Sequence, residues 1–303
     1  MIDNNLIRLL ISLTEEAAKG NYQETNSIFE LTDSSRYPGE ISRLAESFGM
    51  MLVQVEAREQ RLERLIEELK IKNKNLQEIT FQLFKANIGM LETLGNLIAK
   101  RDSDTSSHNY RVTVYSIQIA QELQLDDNTV RGLIKGAFLH DLGKIAISDN
   151  ILLKPSKLTP YEFEIMKTHV SHGAEVVKGY DWLIDALDVV QYHHERFDGS
   201  GYLKGLKGED IPLNARIFSI ADVFDALTSH RPYKKAFSYD KSIDILEKGG
   251  DNFFDPHILK TFISISKKLY KDICKNELED LKEKLNMFLE YYFTTEKITI
   301  RKK

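Results

Sequence analysis

The stretch Val130-Arg131-Gly132-Leu133-Ile134-Lys135-Gly136-Ala137-Phe138-Leu139-His140-Asp141-Leu142-Gly143-Lys144 decides the class of fold. Val130, Leu133, Ile134 and Ala137 recur at the three- and four-residue spacing of one helical face, and His140 and Asp141 continue that face by one turn. An imidazole and a carboxylate therefore point into what should be a core. Burying both without partners is costly; a hydrogen-bonded pair would satisfy them, and so would a metal ion.

The rest of the chain repeats the pattern. Thr159-Pro160-Tyr161-Glu162 combines an N-cap threonine, a proline at the first helical position and a capping glutamate, so a helix should start there. Ile165, Met166, Gly173 and Val176 mark its expected inner face, with His169 on it; His172 lies at the edge. A third helix runs through Leu183, Ala186, Leu187 and Val190 and then delivers His193 and His194. Neighbours on a helix diverge by about 100 degrees, so this pair suits a cluster or two ions better than chelation of one. His108 heads the stripe Val112, Tyr115 and Ile119, and Asp222 sits within the apolar run 217–227. Five helices thus each offer an inward His or Asp, which core packing does not explain. Mixed imidazole and carboxylate ligands suit iron, manganese, zinc or nickel, and more than four ligands implies more than one ion.

Upstream, Leu6, Leu9, Leu10 and Leu13 form a helical stripe that Gly20 should stop. After a linker, Ile41, Leu44, Phe48, Leu52 and Val55 build a second stripe. Leu62, Leu69, Leu76 and Leu83 then recur every seven residues, with Ile66, Asn73 and Thr80 at the intervening positions. That spacing predicts a coiled-coil seam and a parallel homodimer. Strand patterns are nearly absent, apart from a short tail at 297–300, so the class should be mainly α. The expected division is a helix–linker–helix module over 1–55, a coiled coil over 56–85 and a large helical domain over 86–303.

Composition restricts the partners. A net charge of −5 over 303 residues argues against general binding to DNA or RNA. Cys274 is the only cysteine, so no internal disulfide can form. The apolar stretch 6–13 is far shorter than the roughly 20 residues of a membrane span, and Asp3 stands where a secretory signal needs positive charge. The expectation is a cytoplasmic protein.

Read together, His140-Asp141-Leu142-Gly143-Lys144, Lys154-Pro155 and His193-His194-Glu195-Arg196-Phe197-Asp198-Gly199-Ser200-Gly201-Tyr202 resemble the HD-GYP phosphodiesterases. So do Ala221-Asp222-Val223-Phe224-Asp225, Arg231-Pro232-Tyr233-Lys234 and Phe254-Asp255-Pro256. The resemblance covers roughly residues 88–268, with the motifs in order. It implies an all-α HD core around two or three divalent transition-metal ions, iron or manganese foremost. The implied substrate is cyclic di-GMP, cut by a metal-bridging hydroxide to pGpG, with GMP as a further product. His108, His140, Asp141, His169, His193, His194 and Asp222 would be metal ligands, and Lys144, Arg231 and Lys234 would hold phosphates. Asp141, Lys144 and Asp225 form the expected catalytic set, Asp225 either bracing Asp222 or orienting water. Asp104, four residues before His108, is expected to bind a third ion or to cap its helix. Leu203 replaces the proline that gives the family its name, in a loop linked to contacts with partner signalling proteins. The segments Gly20-Asn21-Tyr22 and Pro38-Gly39-Glu40-Ile41 resemble a HAMP signalling module, with a plain dimerising hairpin as the alternative. Two other functional readings stay open: a receptor that binds cyclic di-GMP without cutting it, and a phosphodiesterase for a hybrid cyclic GMP-AMP dinucleotide.

Overall fold

The computed structural model describes residues 4–101, 106–230, 235–273 and 278–294. Among them there is no strand. Asp104, Arg231, Lys234 and the tail at 297–300 lie outside the described residues. The chain divides into two compact units, Met1–Phe81 and Gln82–Lys303.

The first unit holds α1 (Asn4–Ala18), a 3-10 segment (Gln23–Thr32) and the start of α2 (Gly39–Arg101), within which the division between units falls. Its core is small: Leu13, Ile28, Leu31, Ala45 and Leu52, flanked by Leu10, Tyr37 and Phe48. Leu9 and Leu44, expected on the inner stripes, are exposed, because Ile28 and Leu31 of the linker fill the space between the helices. Along α2, Leu62, Leu69, Leu76 and Leu83 are 57–62% exposed.

The second unit contains α3 (Ser106–Glu122), α4 (Asp127–Leu139), α5 (Asp149–Leu152), α6 (Pro160–Lys167) and α7 (His169–Lys178). It continues with α8 (Leu187–Tyr192), α9 (Leu213–Thr228), α10 (Tyr239–Phe253), α11 (Pro256–Ile273) and α12 (Leu278–Thr294). Asp126 caps α4 by accepting from the backbone N–H groups of Asn128 and Thr129. The capping box of Thr159 and Glu162 opens α6 as the sequence predicts. Val112, Tyr115 and Ile119 of α3 meet Val130, Leu133, Ile134 and Ala137 of α4 in a solvent-free core, and Ile217, Phe218 and Phe224 of α9 join them. Phe224 packs edge-on against Tyr115 and Phe262, at 5.3 and 4.9 Å between ring centres, which ties α11 to the same core.

Two predicted details shift. The helix expected from Pro160 onward is interrupted at Thr168, and its second half buries Gly173, Ala174 and Val177 while Val176 is exposed. The break rotates the inner face by one residue. Near this break a 3-10 segment (Leu142–Ala146) crosses α7 so closely that a Cβ on Gly143 would overlap the carbonyl oxygen of His169. Only glycine permits this approach, and it brings the segment after His140-Asp141 onto the helix that carries His169.

Candidate metal centre

Most of the polar groups come from helix ends, and one comes from a helix interior. His108 comes from the first turn of α3, His140 and Asp141 from the end of α4, and His169 from the start of α7. His193 and His194 follow α8, which ends at Tyr192, so the helical divergence expected to send the two rings to different ions does not apply and both fall in one group; Asp222 lies in the middle of α9. His108, His140, His169 and His193 are all buried. They form two groups whose potential ligand atoms lie within 4.8 Å of one another: His169, His193 and His194, and His108, His140 and Asp222. Asp141 stands between the groups, with Oδ2 3.1 Å from His140 Nε2 and Oδ1 3.6 Å from His169 Nε2.

Four of the ring orientations are set by the other nitrogen of the imidazole. His140 Nδ1–H donates to the Ala137 carbonyl and His169 Nδ1–H to the Met166 carbonyl, both at 2.8 Å. His193 Nδ1–H is directed at the carbonyls of Val189 and Val190 at 3.1 and 3.2 Å. His108 Nδ1–H donates to Asp225 Oδ2 at 2.8 Å. With Nδ1 engaged, Nε2 is the nitrogen of each of these four rings left facing the cluster, the position from which an imidazole would ligate a divalent ion. The Nε2 atoms of His169 and His193 are 3.5 Å apart, and His108 Nε2 is 3.5 Å from Asp222 Oδ1.

Electrostatics agree with this donor set. Burial lowers the pKa of His169 and His193, and it brings that of His194 down to about 3 with help from the charge of His169. These three rings are neutral at pH 7. Burial opposes charging of His140 as well, but the charge of Asp141 and its hydrogen bond prevail and raise His140 to about 8, so without metal this ring carries a proton on Nε2 at pH 7 that a bound ion would displace. For Asp141 burial favours the neutral acid, yet Lys144 and His140 hold the carboxyl well below its ordinary range. A carboxylate shared by two imidazoles from different groups, with orphan lone pairs around it, matches the chemistry of a nitrogen- and oxygen-ligated metal pair.

Asp225 does not brace Asp222. Its side chain is 1% exposed and points to α3, where it accepts from His108 Nδ1, from Arg111 Nε at 2.5 Å and from Arg111 Nη2 at 3.0 Å. Asp222 and Asp225, one turn apart on α9, thus flank the same His108 ring, Asp225 bonded to Nδ1 and Asp222 facing Nε2 at 3.5 Å. Burial would raise the Asp225 carboxyl, but the hydrogen bonds from His108 and Arg111 hold it well below the usual carboxylate range. This seclusion suits a residue that positions His108 and leaves Asp225 no access to orient water. Lys144 Nζ lies 2.8 Å from Asp141 Oδ2, which sets a cation beside the cluster.

Three further residues escape a reading of the sequence. Arg111 shares a helix face with His108 at three-residue spacing, and that spacing is the signal that could have found it. Arg101, at the end of α2, donates to the carbonyls of Lys144, Ile145 and Ile147 and to Asp149 at 2.8–2.9 Å, fixing the segment that carries Lys144. Glu195 is buried and accepts from the backbone N–H groups of Lys204 and Leu206 at 2.7 and 3.1 Å. It folds the 195–206 loop onto the site so tightly that a Cβ on Gly201 would overlap the backbone of Glu195 and Arg196. Tyr202 then stacks on His194 with ring centres 4.7 Å apart. His172, by contrast, is exposed.

Residues 92–258, more than half of the chain, match the model of the HD domain family, and the chain belongs to that family. Within it, the similarity runs to enzymes of cyclic dinucleotides. A cyclic di-GMP phosphodiesterase of Thermotoga maritima is 38% identical over 193 residues, covering 63% of this chain and 52% of that protein. A cyclic di-GMP phosphodiesterase response regulator of Xanthomonas campestris pv. campestris is 43% identical over 176 residues, covering 57% of this chain and 46% of the relative. The chain therefore spans about half the length of these relatives. The crystal structure of a cyclic GMP-AMP-specific phosphodiesterase of Vibrio cholerae superposes with a TM-score of 0.51 at 18% identity, over 65% of this chain and 53% of the other. That likeness establishes a shared all-α fold. No helix among the described residues is long and apolar enough to cross a membrane.

Proposed function

We propose that this protein is a metal-dependent phosphodiesterase that hydrolyses cyclic di-GMP to pGpG, and onward to GMP. The observation that carries the reading is the pair of three-residue groups joined by Asp141, with His108, His140, His169 and His193 each turned Nε2-inward by an Nδ1 acceptor and His194 held by its stack on Tyr202. The names of the Thermotoga and Xanthomonas relatives support the substrate.

His169, His193 and His194 would hold one ion, and His108, His140 and Asp222 a second, with Asp141 serving both. Nitrogen and oxygen donors favour iron or manganese here, and Asp104 is the candidate ligand for a third ion. Such ions supply Lewis acidity, which neutralises charge on phosphoryl oxygens and provides a nucleophile at neutral pH. The chain's own residues do the positioning. Asp225, locked by Arg111, keeps His108 in one tautomer; Tyr202 covers the outer face of His194; and Phe218, 4.8 Å from the His140 ring, shuts that side to water. Lys144 offers a charge-assisted contact to a phosphate, with Arg231 and Lys234 assigned to the same task.

The exposed leucines of α2 support a second copy of the chain as partner, because four large apolar side chains at heptad spacing gain most by covering one another. Residues 1–55 would then form a HAMP-like signalling module and residues 56–85 the coiled coil that links it to the enzyme. In the 195–206 loop, Leu203 is exposed and available to partner signalling proteins. Incubating purified, metal-loaded protein with cyclic di-GMP tests the reading. Accumulation of pGpG supports it. Retention of intact nucleotide would make the protein a receptor, and turnover of cyclic GMP-AMP alone would move the substrate to the hybrid dinucleotide.

A further inference from the structure

A cavity of about 310 Å³ opens beside the histidine cluster, and apart from His193, His194 and Asp222 the proposed chemistry gives its lining no task. One end is formed by His193, His194 and Asp222, which belong to both ligand groups. The walls are apolar, from Val223 of α9 and Ile245 and Leu246 of α10, and the rim carries Phe253 and Arg196. The guanidinium carbon of Arg196 lies 4.3 Å from the centre of the Phe253 ring. The backbone keeps this pair in place: Phe197 N–H donates to the Phe253 carbonyl at 3.1 Å, and Asp198 N–H to the Asn252 carbonyl at 2.7 Å. Arg196 is exposed, and no carboxylate lies within ion-pair distance of it among the described residues.

The cavity is at the small end of the range for small-molecule sites; of its polar lining, Glu195 is already taken by the Lys204 and Leu206 N–H groups, and among the described residues Arg196 is the one exposed cation that lines it. A phosphodiester held at the histidine end would direct its nucleoside along the apolar walls toward Phe253 and Arg196. The body of such a ligand must be flat and apolar on its faces, which a nucleobase is. Its far edge meets a guanidinium whose face is used by Phe253 and whose N–H fork is left for acceptors. Guanine offers two adjacent acceptors on that edge, O6 and N7; adenine puts an amino donor where O6 would be. We propose that this cavity is a guanine subsite and that Arg196 is its specificity-determining residue. The inference rests on the phosphodiesterase reading above for the seating of the phosphate, and adds the base that the site selects.

The test measures binding and needs no turnover. GMP and AMP carry the same phosphate and differ in the base, so equilibrium titration of each into metal-loaded wild-type, Arg196→Ala, Arg196→Lys and Phe253→Ala proteins isolates base recognition. Both rim residues are exposed, so the variants should fold, and equal metal content serves as the control. Wild type should prefer GMP by roughly tenfold to a hundredfold, the usual worth of a bidentate guanine contact. Arg196→Ala should lose that preference with AMP affinity within about twofold of wild type, Arg196→Lys should not restore it, and Phe253→Ala should weaken both nucleotides. Equal losses for GMP and AMP in Arg196→Ala would assign Arg196 to phosphate and overturn the proposal, as would complete rescue by lysine. A protein that fails to cut cyclic di-GMP but keeps the Arg196-dependent preference would refute the activity and retain the subsite. Turnover with unchanged base preference in Arg196→Ala would do the reverse.

Discussion

Asp225→Asn is the substitution on which the positioning argument makes its sharpest claim. Each oxygen of Asp225 is taken by two donors: Oδ1 by Arg111 Nε and Ser229 Oγ, Oδ2 by His108 Nδ1 and Arg111 Nη2. Asparagine keeps the shape but must turn its amino group toward one of these donor pairs, whichever way it flips. One charge-assisted hydrogen bond at least is lost in a site that water does not reach, at about 1.5–3 kcal/mol to the fold. If His108 gives way, its Nε2 is no longer fixed toward Asp222, and affinity at the group formed by His108, His140 and Asp222 should fall roughly 10- to 100-fold. The other group does not touch Asp225 and should bind as before. Chelator-competition titration with Mn²⁺, alongside circular dichroism to establish that the helices persist, reads both ions separately. A folded Asp225→Asn protein that binds both with wild-type affinity would refute the role given to Asp225 and Arg111.

Three other outcomes are expected. Metal-free protein should melt at its highest temperature near pH 7: a contribution of about 2 kcal/mol from His140, raised to about 8, is lost as pH climbs from 6.5 through 8, and on the acid side the unfolded chain protonates His169, His193 and His194 first. Metal loading should erase the alkaline limb, and a monotonic curve for the metal-free protein would contradict this. The double substitution Leu69→Lys and Leu76→Lys should convert a dimer into a monomer in sedimentation, since a coiled-coil seam cannot cheaply desolvate two charges per chain; a persisting dimer would put association elsewhere. Asp104→Ala should remove about one of three ions per chain if Asp104 is a ligand, and identical stoichiometry would leave it as a helix cap.

The helices and the ligand-bearing faces were legible because apolar periodicity and ionisable residues coincide along the chain. His108 with Val112, Tyr115 and Ile119, and His140 with Val130, Leu133, Ile134 and Ala137, are periodic signals that tertiary structure only had to preserve. The capping box at Thr159 was equally local. What the sequence concealed is long-range. Arg111 and Asp225 are 114 residues apart, and nothing along the chain says that α9 turns Asp225 toward α3 while Asp222 faces the cluster. The break at Thr168, after which Val177 and not Val176 is buried, sits beside the close approach at Gly143, again a contact between distant segments. Tyr202 reads as a loop residue until Glu195 is seen drawing the loop over His194. The cavity beside Arg196 depends on α10 and α9 meeting the segment after α8, and no single motif contains it.

The account stands or falls on Asp141, the carboxylate placed between both ligand groups among the described residues. Metal content and cyclic di-GMP turnover should be measured on the same anaerobically purified samples of wild type and Asp141→Ala. The expected result is at least two ions per chain and pGpG production in wild type, with bound metal reduced and turnover abolished in a variant whose circular dichroism is unchanged. Near wild-type turnover by a metal-depleted Asp141→Ala protein would contradict the claim that this cluster performs the hydrolysis.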